Sequence, residues 1–149
     1  MNEEAKNNFK LIGKNQEDLK IISAYTQDSV VAVKDMVFLQ QSRIFVMLIN
    51  RFMWEDVEKG MFRQNRRIRS AIKFEEVLKV KSKKINQKNK SKCLECLTIK
   101  CKKISNNNYE IKIFFSGDSI ITLTSEVVDV VMNDLGKTWN VKHIPEHKI

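Results

Sequence analysis

The three cysteines of the chain, Cys93, Cys96 and Cys101, are spaced C-x2-C-x4-C within the lysine-rich run SKCLECLTIKCKK. Thiols so placed could ligate zinc, exchange electrons as a C-x-x-C pair, or pack as small hydrophobes. Zinc needs its ligands to converge within about 2.0–2.3 Å of one ion. Here Leu97, Ile99 and Cys101 alternate with Thr98, Lys100 and Lys102, which predicts a strand from Cys93 to Lys102. A strand puts Cys93 and Cys101 on one face and Cys96 on the other, the outer pair roughly 26 Å apart at ~3.3 Å per residue. Neither one ion nor a disulfide spans that gap. The histidines, His143 and His147, flank Pro145 far beyond Cys96, outside the spacing of a finger-type site. A redox C-x-x-C pair calls for a helix N-terminus in a βαβ setting, and neither is visible. The cysteines therefore read as packing residues, Cys101 and Cys93 turned inward.

Other chemistry is equally sparse. Both histidines fall in a stretch expected to be a mobile tail, so neither is positioned for general base work. Glu55-Asp56 and Glu75-Glu76 are adjacent carboxylates, which point apart in a strand or turn. No phosphate-binding glycine loop, dinucleotide fingerprint or H-E-x-x-H is present. These patterns predict a non-enzymatic protein with no catalytic residue, no metal and no cofactor.

Charge is the stronger signal. The net charge is +9, but residues 61–103 alone carry fifteen Lys/Arg against three acids. A clustered field of this kind attracts anionic partners. Arg63, Arg66, Arg67 and Arg69 precede the stretch 79–92, which has seven lysines and no acid, among them Lys79, Lys81, Lys83 and Lys84. Those arginines and lysines are the candidate anion-binding residues, suited to RNA or DNA. Lysines on the outer faces of strands also guard against edge-to-edge association, and within 67–103 the one aromatic, Phe74, has inward parity. A second candidate site is Arg51, Phe52 and Trp54 at a strand end, residue types that anchor protein interfaces.

The elements that must carry these residues follow from spacing. Residues 1–14 read as a flexible leader. Asn15 can cap a helix whose first turn holds Glu17 and Asp18 and whose apolar stripe is Leu19, Ile22 and Tyr25. Strands are predicted across 30–39, with a bulge at Lys34-Asp35, and across 44–52, 67–74, 77–81, 93–102, 109–115 and 120–124. Leu78 and Val80 are expected inward in the fourth, and Tyr109, Ile111, Ile113 and Phe115 share a face in the sixth. Ser125 and Gly136 bracket a predicted C-terminal helix with Val127, Val128, Val131 and Leu135 as its buried stripe. The expected fold is α+β and mainly antiparallel β. It is a PH-like barrel of about seven strands with a C-terminal helix and an additional N-terminal helix, in one domain over 15–140, with a mobile tail from 141. An open sheet with both helices on one face is the alternative. In PH domains the lipid-binding cations lie around the first hairpin loop. Here that loop, Gln40–Arg43, has one positive charge, so lipid binding is not expected to transfer.

No apolar run reaches the ~18 residues of a membrane helix. The N-terminus has Glu3 and Glu4 and lacks a signal peptide's apolar core, and the cysteine count is odd, so a reducing, cytoplasmic setting is expected.

The stretches ISAYTQDSVVAVKDMVFL, LINRFMWE and RRIRSAIKFEEVLKVKSKKI resemble a small bacterial family, domain of unknown function family 2948, over most of residues 10–140. The resemblance implies no activity, cofactor or catalytic residue. The chain is more lysine-rich around 83–92 than the resemblance implies. The sequence therefore predicts an interaction module for a protein partner, with a basic surface for RNA or DNA as the alternative.

Overall fold

A computed structural model describes residues 9–54 and 66–140. In chain order its elements are β1 (Lys10–Gly13), α1 (Gln16–Thr26), β2 (Val30–Ala32), β3 (Met36–Leu39), β4 (Ile44–Phe52), β5 (Arg66–Phe74), β6 (Val77–Lys83), β7 (Cys93–Lys103), β8 (Tyr109–Phe115), β9 (Ser119–Ser125) and β10 (Val130–Asn140). These strands form one continuous sheet in the order β1-β10-β5-β4-β2-β7-β8-β9-β6, with β3 paired to β4. Every pairing is antiparallel. The fold is thus α+β and mainly antiparallel β, as expected. The end strands β1 and β6 do not pair with each other, so the sheet does not close into a barrel.

Helix α1 forms where its caps predict. Asn15 Oδ1 accepts from the Asp18 amide at 2.8 Å, and Asp18 Oδ2 accepts from the Lys14 amide at 2.9 Å. The first bond satisfies an orphan amide of the first helical turn, and the second ties that turn to the residue before the cap. Leu19 and Ile22 bury their side chains. Gly13 of β1 lies against them: a Cβ there would stand 3.0 Å from the Ile22 Cδ1 and 3.1 Å from the Leu19 Cδ2, so β1 and α1 pack closely and a side chain at this position would make both give way.

The C-terminal helix is the principal correction. From Val130 on its residues form β10, which lies between β1 and β5, and residues 126–129 are the connection from β9. Burial alternates with period two through Val128, Val130, Met132 and Asp134, while Val127 and Leu135 of the expected helical stripe are 45% and 41% exposed. Four valines in five residues disfavour a helix, and a two-sided sheet position rewards their β-branched shape. Gly136 does adopt φ +72°, but within a register shift between Leu135 and Trp139 rather than at a helix end. β1 is a second correction, because it lies within the expected leader.

The sheet folds over on itself around a single core. Phe45, Met47, Ile49, Ile72, Phe74, Val130 and Met132 from one half meet Ile99, Ile111, Ile113, Phe115, Ile121 and Leu123 from the other. Strand β2 bridges the halves, pairing with β4 and β7. Beyond β2, α1 packs along β7 and its Ser23 Oγ accepts from the Ile99 amide at 2.9 Å. The helix thereby covers part of the edge of β7 that lies beyond its pairing with β2.

Candidate nucleic-acid interface

Registers on β6, β9, β8 and β7 place three cross-strand rows side by side. The first is Lys79–Thr124–Glu110–Lys102, the second Lys81–Thr122–Lys112–Lys100, and the third Lys83–Ile120–Phe114–Thr98. Paired residues share a face, and the intervening Ile111, Ile113, Phe115, Ile121 and Leu123 fill the core. The rows therefore form the outer face of this half of the sheet. Six lysines from three strands lie on it, with Lys84 at its margin. Its acids are Glu110, which reaches Lys102 at 3.6 Å and Lys112 at 3.8 Å, and Asp118, 3.9 Å from Lys84.

Phe114 sits half-buried in this lysine field, its ring centroid 5.6 Å from Lys100 Nζ. Two shallow depressions flank it. One, of about 290 Å³, is lined by Lys100, Lys102, Glu110 and Lys112. The other, of about 320 Å³, is lined by Lys83, Lys84, Leu97, Asp118 and Ile120. Leu97 reaches this surface because the ladder skips it between Cys96 and Thr98. The same bulge reverses the expected parity of Cys93 and Cys96, while Cys101 keeps its expected inward parity against the core. Cys96 is in the core, Cys101 is half-buried and Cys93 is exposed. Burial pushes the Cys96 thiol up to about 12. A comparable bulge between Val77 and Lys79 turns Leu78 outward, against expectation, while Val80 stays against the core.

The expected anion site is divided by the fold. Lys79, Lys81 and Lys83 are on the face just described, with Lys84 beside them. Arg67 and Arg69 are on β5, between β4 and β10, in the other half of the sheet. Arg67 donates to the carbonyls of Asn50 at 3.1 Å and Asp28 at 3.4 Å, and desolvation lowers its pKa against the pull of Asp28 and Glu95. Arg69 pairs with Asp35 at 3.4 Å. Arg63 and the side chain of Arg66 lie outside the described residues, as do His143 and His147.

The expected partner site is largely internal. Arg51 and Phe52 expose no surface. Arg51 grips Asp134 through two bonds, Nε–Oδ1 at 2.8 Å and Nη2–Oδ2 at 2.6 Å, and Ser70 Oγ donates to the same carboxylate. The rings of Phe9 and Tyr25 cover the guanidinium at 5.1 and 5.8 Å. Trp54 is half-buried, stacks edge-on against Phe52 and donates from Nε1 to the Gln27 carbonyl at 2.9 Å.

A family model described as a protein of unknown function, DUF2948, matches residues 9–147. The chain belongs to this family. The match takes in β1 and α1 as well as the lysine-bearing strands, so the whole described fold falls within the family domain. No curated protein and no solved structure matches the chain.

Sequence reading missed Phe114, Lys100, Lys102 and Lys112 as site residues. The signal was present: with Ile111, Ile113 and Phe115 inward, Phe114 and Lys112 must face out. What the sequence lacked was the strand order that sets β8 between β7 and β9.

Proposed function

We propose that this family member is a non-enzymatic binding module that holds single-stranded nucleic acid across the outer face of β6, β9, β8 and β7. One observation carries the reading: an outward aromatic ring, Phe114, set among lysines contributed by three strands. Bases stack on aromatic faces irrespective of sequence, and lysines neutralise the phosphates between them. Thr122 and Thr124 add hydroxyl donors between the lysine columns. The depressions on either side of Phe114 leave room for a base and its neighbour. Arg67 and Arg69 have structural partners of their own and are not part of the surface.

The test is fluorescence anisotropy with labelled 12-nucleotide uridine and thymidine oligomers. Binding is expected at 50 mM salt, falling steeply by 200 mM. Phe114→Ala is expected to weaken it about tenfold or more, since stacking is worth about 1–3 kcal/mol per base. Absence of binding at low salt, or binding indifferent to Phe114→Ala, rejects the reading.

A further inference from the structure

A groove of about 590 Å³ lies elsewhere, between α1 and the edge of β7. Its floor is Leu97, Ile99 and Cys101, its wall Leu19, Ser23 and Ala24, and its lining charges are Lys20 and Lys100, with no acid. The backbone of β7 explains why the groove exists. Up to Cys96 the outer edge of β7 is covered: Cys96 donates its amide to the Ser29 carbonyl at 2.8 Å and accepts from the Asp28 amide at 2.8 Å. The bulge at Leu97 then shifts the alternation, and Ile99 presents its amide to Ser23 Oγ. In a strand, every second residue points its amide and carbonyl the same way. Cys101 and Lys103 therefore direct theirs away from β8, as Ile99 does, and among the described residues no strand pairs with β7 on that side beyond Glu95.

We propose that this edge is a strand-addition site for an extended acidic peptide from a protein partner. An open edge of unpaired amides and carbonyls is satisfied by another extended chain, not by a helix or a compact ligand. The main chain of the peptide bonds to Cys101 and Lys103. Its alternate side chains enter the groove against Leu97 and Ala24, and its carboxylates meet Lys20 and Lys100. Charge selects the partner: the lining carries Lys100 and Lys20 and no carboxylate, and the acid beside Lys20 is the exposed Glu17, at 3.2 Å. The site is on the rim of β7, shares Lys100 alone with the lysine-bearing face and does not use Phe114, so the Phe114→Ala variant separates it from the nucleic-acid reading.

The experiment uses the full chain and four capped octapeptides of three kinds. One alternates Glu and Val, one has the same sequence with N-methyl groups on every second amide, in both possible phases, and one alternates Lys and Val. Binding is followed by titration and by amide hydrogen exchange. The Glu-Val peptide is expected to bind and to slow exchange at Cys101 and Lys103 at least tenfold, leaving Lys100 and Lys102 unchanged. One phase of N-methylation is expected to abolish binding and the other to spare it, and the Lys-Val peptide is expected not to bind. Equal binding by both N-methylated phases, protection spread over the lysine face, or no binding by the Glu-Val peptide overturns the proposal. Phe114→Ala is expected to leave peptide binding unchanged.

Discussion

The two halves of the sheet use their charges in opposite ways. In the half built from β4, β5 and β10, Arg51 and Asp134 are on the inner face with the apolar residues, both side chains without accessible surface. In the half built from β6 to β9, lysines occupy the outer face, while the buried residues of the inner face are apolar apart from Ser119 and Ser125. The difference follows from the side chains. A guanidinium is planar, presents a rigid fork of donors and is weakly hydrated, so it can be buried against a carboxylate and covered by rings. An ammonium is a compact, strongly hydrated charge, and it stays at the surface on a flexible stem. Cationic residues that look alike in composition thus divide into a structural set and a set available to anions.

The most forceful way to break this contrast is Asp134→Ala. It strands a buried guanidinium and is expected to destabilise the fold by about 3–5 kcal/mol, read from the urea midpoint. The double variant R51M with D134L removes both charges and is expected to recover most of that loss. If the single substitution is as mild as a surface change, Arg51 and Asp134 do not form the buried pair described. On the other half, Lys81→Glu together with Lys112→Glu is expected to leave the urea midpoint nearly unchanged. It should weaken oligonucleotide binding and reduce the salt slope by about 2, one for each phosphate left without its lysine. Arg69→Ala sharpens the distinction, because it should leave that slope unaltered.

The thiols give a smaller effect of the same kind. Cys96 keeps its proton in the folded chain up to about 12, whereas an unfolded thiol releases it near 9. The folded state therefore holds more protons in that window, and stability must fall as pH rises through it. The wild-type unfolding free energy, read from urea titrations, should drop relative to that of Cys96→Ala between about pH 8 and 10, by about 1.4 kcal/mol per pH unit once the unfolded thiol has ionised. At about pH 8, close to the range in which a free thiol ionises, a thiol reagent should label the exposed Cys93 first and Cys96 last. The smallest expected effect is Asn15→Ala, about 1 kcal/mol from the lost cap of α1.

Local patterns were legible where one interaction dominates. The cap of α1, the turn at Gln40–Arg43, the strands β4, β5, β7, β8 and β9, and the inward parity of Phe74 all follow from short-range spacing. The C-terminal segment misled because its valines fit two periods. At helical spacing they make a stripe, and at period two they extend to Val130, Met132 and Asp134. The presence of Asp134 in the second set argues against that set until Arg51 is known to oppose it. The bulges at Leu78 and Leu97 left no mark in composition, yet each reverses the faces of the residues around it.

By itself the sequence determined that this chain is mainly antiparallel β, that its positive charge is concentrated between Met61 and Lys103, and that its cysteines are not spaced along a strand for one ion. These are consequences of period, count and reach along a single chain. Only the tertiary structure decided which cations are committed to the core and which face outward. Strand order and register set Phe114 among lysines distant in sequence, and the bulge at Leu97 opened the edge of β7 beside α1. Pairing between distant strands depends on a partner that no local window contains, and one skipped residue is enough to exchange inside for outside.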